Sequence, residues 1–144
     1  MRSTSLHTRV VASLVLLVAL AGCGGDSDPA PSATDGSDIE LGSGSVPETV
    51  PDDFPLPDSA VVGSTLVNHP TGETEMIVRL PTDVAVSVQY YEQNLDARGY
   101  AIDSSDAQPD GAWLMAFSRD DLEGSIEFRP ELEEVSALVV RIEQ

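Results

Sequence analysis

Among side chains that could do chemistry, one thiol stands out. Cys23 is the single cysteine in 144 residues. It follows Leu20, Ala21 and Gly22 at the end of an apolar run. A thiol is a nucleophile, and this one has small neighbours on its N-terminal side. A lone cysteine makes no intramolecular disulfide, so a folded domain here must be held by an apolar core. Other chemistries find few parts. Triad hydrolysis needs a nucleophile, a base and an orienting group. His69 precedes Pro70 in a turn cluster, Gly63-Ser64 falls inside a strand pattern, and no G-x-S-x-G occurs. All seven basic residues are Arg, which removes Schiff-base and Ser-Lys mechanisms. Zinc needs Cys or His ligands and would find only His69 beyond the N-terminal region. The carboxylate groups Asp120-Asp121-Glu123 and Glu131-Glu133-Glu134 have the residue types of a glycosidase pair, but they sit in turn-like stretches and read as solvated loop charge. No acidic stretch has EF-hand spacing, which leaves weak calcium binding at the Asp120 or Glu131 loop. Trp113, Tyr90, Tyr91 and Tyr100 could line a pocket, yet their spacing is that of core residues. No catalytic residue, no metal ligand and no cofactor is assigned.

The residues before Cys23 read as an address. Met1 to Arg9 is polar, with Arg2 and Arg9 and no acid. Val10 to Leu20 is apolar except for Ser13. This is the arrangement of a secretory signal peptide, and it is short of the roughly 20 apolar residues of a membrane span. Leu20-Ala21-Gly22-Cys23 resembles the lipobox of bacterial lipoproteins: an aliphatic residue, a small one, Gly or Ala, then Cys. The resemblance implies that Cys23 is thioether-linked to diacylglycerol. It also implies that Leu20, Ala21 and Gly22 are recognised by a signal peptidase that cuts before Cys23. The alternative is an ordinary signal peptide cut near Ala19-Leu20-Ala21, with an incidental free thiol. Two or three acyl chains anchor stably where one gives marginal binding.

Charge narrows the partners. The chain carries 25 Asp and Glu against 7 basic residues, a formal net charge of −18. Loss of residues 1–22 removes Arg2 and Arg9 and no acid, which takes it to −20. Such a chain repels phosphate backbones, so no nucleic-acid partner is expected. Charge alone will not hold it on anionic lipid. An acidic surface keeps a secreted domain soluble and attracts cations and basic partners.

The sequence divides into a lipoprotein signal peptide (1–22), a lipidated Cys23 with a disordered acidic Gly/Ser/Pro tether (23–46), and a single domain (47–144). The tether has few large apolar residues, Ile39 and Leu41 among them, and cannot bury enough surface to fold. As a coil it would reach roughly 25–30 Å. Residues 46–57 are proline-rich and read as an extended lead-in, with Phe54 and Leu56 docking at the domain edge. Strands are expected at 60–67 and 73–80, joined by the turn cluster 68–72. In the second strand Met76, Val78 and Leu80 share a face, opposite Glu75, Ile77 and Arg79.

Pro81-Thr82-Asp83 opens a helix, with Thr82 or Asp83 as N-cap. Its stripe is Val84, Val88, Tyr91 and Leu95, while Gln89, Glu92, Gln93 and Asp96 face water. Arg98 suits the C-terminal dipole and Gly99 stops the helix. Strands then follow at 100–103, 112–118 (Trp113, Met115 and Phe117 on one face), 125–128 and 135–142. The fold class is α+β: an antiparallel meander in ββαββββ order packed against one helix, with no internal repeat evident.

Phe54-Pro55-Leu56-Pro57-Asp58-Ser59-Ala60, then a hairpin, then Tyr90-Tyr91-Glu92 and Leu95 to Gly99-Tyr100, resembles a small domain common in uncharacterised bacterial lipoproteins. That domain shows a "PxPLPxGA" lead-in, a strand pair, and a helix ending in "YY…L…GW/GY". The match covers 54–101, with Ser59 in place of the usual Gly. It implies a fold and a location but no activity. The expectation is a non-enzymatic, lipid-anchored module on the extracytoplasmic face of a membrane. It would meet another envelope protein through the sheet face that the helix leaves open; exposure of Trp113, Met115 or Phe117 on that face would support this. The alternative is a small-ligand or calcium-binding lipoprotein, which needs a concave apolar pocket or clustered carboxylates.

Overall fold

Period-two alternation of apolar and polar residues builds one large sheet. The structure, a computed structural model, describes residues 38–144. The signal peptide, the Leu20-Ala21-Gly22-Cys23 motif and the tether as far as residue 37 lie outside the described residues. Seven strands occur: β1 (Ile39–Ser43), β2 (Val61–Asn68), β3 (Glu73–Leu80), β4 (Ala101–Ala107), β5 (Trp113–Arg119), β6 (Leu122–Leu132) and β7 (Val135–Glu143). One helix, α1 (Val84–Ala97), joins β3 to β4. The sheet order is β1-β2-β3-β7-β6-β5-β4, with every pair antiparallel. The chain is therefore α+β, and its order from residue 61 onward is the expected ββαββββ. From β3 the helix carries the chain to the far edge, and β4 to β7 meander back until β7 pairs with β3.

β1 corrects the extent of the tether. Residues 39–43 pair with β2 from Ile39 opposite Asn68 to Ser43 opposite Ser64. His69 N–H to Asp38 O (2.9 Å) and Gly44 N–H to Gly63 O (3.0 Å) extend this ladder at its two ends. Composition argued against folding because all five side chains are exposed. The strand forms instead by satisfying the backbone edge of β2, which side-chain burial does not report.

The helix follows its sequence signals closely. Asp83 is the N-cap; its carboxylate accepts from Val86 N–H at 2.9 Å. At the other end Tyr100 N–H reaches Leu95 O and Gly99 N–H reaches Asp96 O, both at 3.0 Å, with Gly99 at φ 79°. That is a Schellman ending, in which glycine adopts the left-handed conformation without Cβ strain. Arg98 donates to Asn94 O at 3.1 Å, neutralising one of the last carbonyls. Val88, Tyr91 and Leu95 are buried as expected, and so is Ser87. Ser87 Oγ lies 2.7 Å from Ser136 Oγ on β7 and 2.8 Å from Thr82 Oγ1, so a chain of hydroxyls ties the first helical turn to the sheet. Glu92, expected in water, instead accepts from Ser105 Oγ at 2.8 Å; Ser105 in turn accepts from Trp113 Nε1 at 2.8 Å.

The core lies between the helix and one sheet face. Met76, Val78 and Leu80 meet Leu138, Val140 and Ile142, then Ile126, Phe128, Met115 and Phe117. Phe54 is buried at its centre rather than docked at an edge. Its ring lies 5.8–6.2 Å from those of Tyr91, Tyr100 and Phe117. The lead-in is a run of turns, not an extended segment. Val50 N–H bonds to Pro47 O, Phe54 N–H to Pro51 O and Ala60 N–H to Pro57 O, at 2.9–3.0 Å. Each turn opens on proline, whose carbonyl accepts while its missing N–H costs nothing. Each closes on an apolar residue that packs inward. The segments PETV, PDDF and PDSA thus form a short repeat of Pro-x-x-apolar turns.

Candidate functional site

Two surfaces could carry function, and the strands set both. The first is the sheet face opposite the helix. Alternation on β3, β7, β6 and β5 sends Ile77, Val139, Glu127 and Leu114 to this face in one cross-strand row. Leu41 and Leu66 stand side by side nearby, and Val61 lies opposite Arg79. Three of the five arginines beyond residue 22 are here, each on a glutamate: Arg79 on Glu131 at 2.8 Å, Arg129 on Glu127 at 2.7 Å, and Arg141 on Glu75 at 2.8 Å. The centre of the face is thus apolar and locally neutralised in an otherwise acidic protein. Leu114 is 41% exposed and borders a depression of about 610 Å3 under the loop 108–112, with Glu127 and Arg141.

The second surface is a cleft of about 480 Å3 where the folded unit begins. Glu40 comes from β1, Val67 from β2, His69 from the β2–β3 turn, and Ser45 to Thr49 from the lead-in. The turn is built by Pro70, with Gly72 N–H bonding to His69 O at 3.3 Å. The lead-in is held by Thr49 Oγ1 to Thr74 Oγ1 (2.6 Å) and by Gln144 Nε2 donating to Thr49 O (2.7 Å). His69 Nε2 lies 3.6 Å from Glu40 Oε2 in an exposed pair. The cleft therefore gathers the histidine, an acid and the hydroxyl of Ser45, which are the parts of a hydrolase. They are not joined as one: His69 makes no hydrogen bond to Ser45 or Thr49 among the described residues.

The other residues that sequence singled out are distributed differently. Met115 and Phe117 lie under the helix at 0% and 1% exposure, and Trp113 is half-buried beside them. Their exposure on the open face, which would have supported an interface there, is not found. The phase of β5 is set by core demand, which places the less conspicuous Leu114 outward. Tyr91 and Tyr100 are core, with Tyr90 packed against it. Asp120-Asp121 and Glu133-Glu134 are the tips of tight hairpins, with Asp120 at φ 54° and Glu134 at φ 62°. β6 consequently runs well past the expected 125–128 at both ends. Among the described residues no group of three His, Cys, Asp or Glu is arranged to hold a metal ion.

The strongest electrostatic feature is structural. Arg119 forks onto Asp53 at 2.6 and 3.0 Å, donates to Arg98 O at 3.2 Å, and lies 4.0 Å above the Tyr100 ring. The guanidinium hydrogen bonds hold the Asp53 carboxyl below its usual range. Burial raises the phenols of Tyr91 and Tyr100. Among the described residues the Tyr91 hydroxyl is buried without a hydrogen-bond partner.

No helix among the described residues is long and apolar enough to cross a membrane. The chain matches no family model, no curated protein and no solved structure among those compared.

Proposed function

We propose that this chain is a bacterial lipoprotein, anchored through lipid on Cys23 at the extracytoplasmic face of the cell membrane. Its folded unit would serve as a non-enzymatic interaction module in the envelope. Support for the anchor is the Leu20-Ala21-Gly22-Cys23 motif at the end of an apolar stretch. β1 begins sixteen residues after Cys23, so the folded unit follows the proposed anchor closely in sequence. The observation that carries the interaction reading is the open sheet face, where Ile77, Val139 and Leu114 lie among arginines already neutralised by glutamates. Elsewhere the net charge favours separation from other acidic surfaces. The partner on this reading is another envelope protein.

Cys23→Ala tests the anchor. The wild-type chain should fractionate with membranes, and the variant should accumulate as the larger unprocessed form. A variant still processed and membrane-bound would overturn the lipobox reading. A photo-crosslinking residue at Leu114 should give a defined adduct with an envelope protein in intact cells, and one at Asp96 on the exposed helix face should not. Adducts at both positions, or at neither, would remove the open face as the interface. The cleft at His69 supports a second reading, a small-ligand or cation-binding lipoprotein.

A further inference from the structure

We propose that the cleft where the folded unit begins binds an organic cation, a primary ammonium or guanidinium on an aliphatic stem. The inference rests on the second reading above and names its ligand class. At about 480 Å3 the cleft falls within the range of small-molecule sites. Val46, Pro47 and Val67 supply apolar wall, against which an aliphatic stem packs. Glu40 and Glu48 supply two carboxylates from two different segments, and charge-assisted hydrogen bonds to a cationic nitrogen are strong. The hydroxyl of Thr49 is occupied by Thr74, while that of Ser45 is bonded to no described residue and is available as a further acceptor. His69 Nε2 lies 3.6 Å from the Glu40 carboxylate, and both side chains are exposed at the rim. A bare metal ion is a poorer fit, because the acids are not grouped as ligands. An ammonium needs only acceptors and an apolar wall.

Occupancy has a structural consequence. Glu40 lies on β1, whose side chains are all exposed. A ligand touching Glu40, the 45–49 segment and Val67 to His69 ties β1 to its neighbours. Binding to the folded state alone adds stability as ligand concentration exceeds Kd. β1, which leads directly from the tether, is then pinned by the ligand.

The test is a titration of the full chain in detergent micelles at physiological ionic strength, followed by amide chemical shifts. The probes are 1,5-diaminopentane and an acetylated, amidated lysine peptide. Saturable shifts should fall at residues 40, 45, 46, 48, 49 and 67–69, and hydrogen exchange of the β1 amides should slow at saturation. Glu40→Gln or Glu48→Gln should each weaken binding by about fivefold, and the double variant by more. Both side chains are exposed, and an unchanged thermal midpoint verifies the fold of the variants. Tighter binding of the diamine identifies a free amine as the source; tighter binding of the peptide identifies a basic side chain. Shifts that do not saturate, that spread equally to the Asp120 and Glu134 hairpins, or that persist undiminished in the double variant would overturn the proposal. Cys23→Ala should bind equally well, so failure of the anchor and failure of the cleft are separate results.

Discussion

The two faces of the sheet obey different rules. On the covered face, Met76, Met115, Ile126, Phe128 and Leu138 are all at 0% exposure beneath Leu95 of the helix, and rings meet at 5.3–6.2 Å. On the open face the same strands present Glu75, Arg79, Glu127 and Arg141 in exposed or half-exposed pairs, with Leu114, Ile77 and Val139 between them. Removal of apolar area from water stabilises the first face, at about 25 cal/mol per Å2. Exposed ion pairs add at most about 1 kcal/mol each to the second. Stability is concentrated on one side, which leaves the other free to carry contacts without carrying the fold.

The sharpest way to break this contrast is Phe54→Ala. Phe54 reaches the covered face from a loop and contacts three other rings, so its loss should cost about 3–5 kcal/mol in urea unfolding. Leu114→Ala on the open face should cost about 0.5 kcal/mol or less. Equal costs would erase the division between the faces. Next in size is Gly124→Ala. A methyl group there would enter the Phe117 ring and approach the Arg141 carbonyl. Overpacking should cost about 1–3 kcal/mol, and Phe117→Leu in the same chain should recover part of it. Additive losses in the double variant would show that ring and methyl do not compete.

The sequence made the covered face legible where pattern and burial coincide. Met76, Val78 and Leu80 on β3, the helix stripe, and the caps Asp83 and Gly99 could be read because period and terminator agreed. Phe54 reads as an edge residue because a residue in a proline-rich loop carries no period. Its inward aim comes from the Pro51 turn. Ser87 was missed because a hydroxyl within an apolar stripe looks like an interruption until Ser136, far away in sequence, supplies the partner. β1 was missed because its folding reward is backbone pairing. The cleft was illegible for the same reason: Glu40, Glu48 and His69 come together only once β1 adds to β2. Cys23, by contrast, is read from local sequence alone.

Tyr91→Phe probes a flaw in the covered face. The hydroxyl is fully buried and unpaired among the described residues, so folding strips its water without replacement there. Removing one oxygen should leave stability unchanged or raise it by about 1 kcal/mol, measured by thermal or urea unfolding. A loss above about 1 kcal/mol would mean that the hydroxyl has a partner in solution, such as a buried water.

The smallest expected effect concerns the rim where the lead-in meets the end of β5. Asp53 has its carboxyl pKa lowered from 3.8, first by the Arg119 hydrogen bonds. A group depressed on folding contributes above its unfolded value and loses that contribution as pH falls through its folded value. The wild-type chain should therefore exceed Asp53→Asn in stability at pH 6. The difference should shrink below about pH 4 and vanish once the folded carboxyl is protonated. Because the pair is half-exposed, salt should reduce the gap at pH 6 as well. Among the described residues the covered core contains no such charge pair, so Phe54→Ala should show the same cost at both pH values. A pH-independent Asp53→Asn difference would mean that the Arg119 fork positions the lead-in by shape, through its contact with the Tyr100 ring, and that charge adds nothing there.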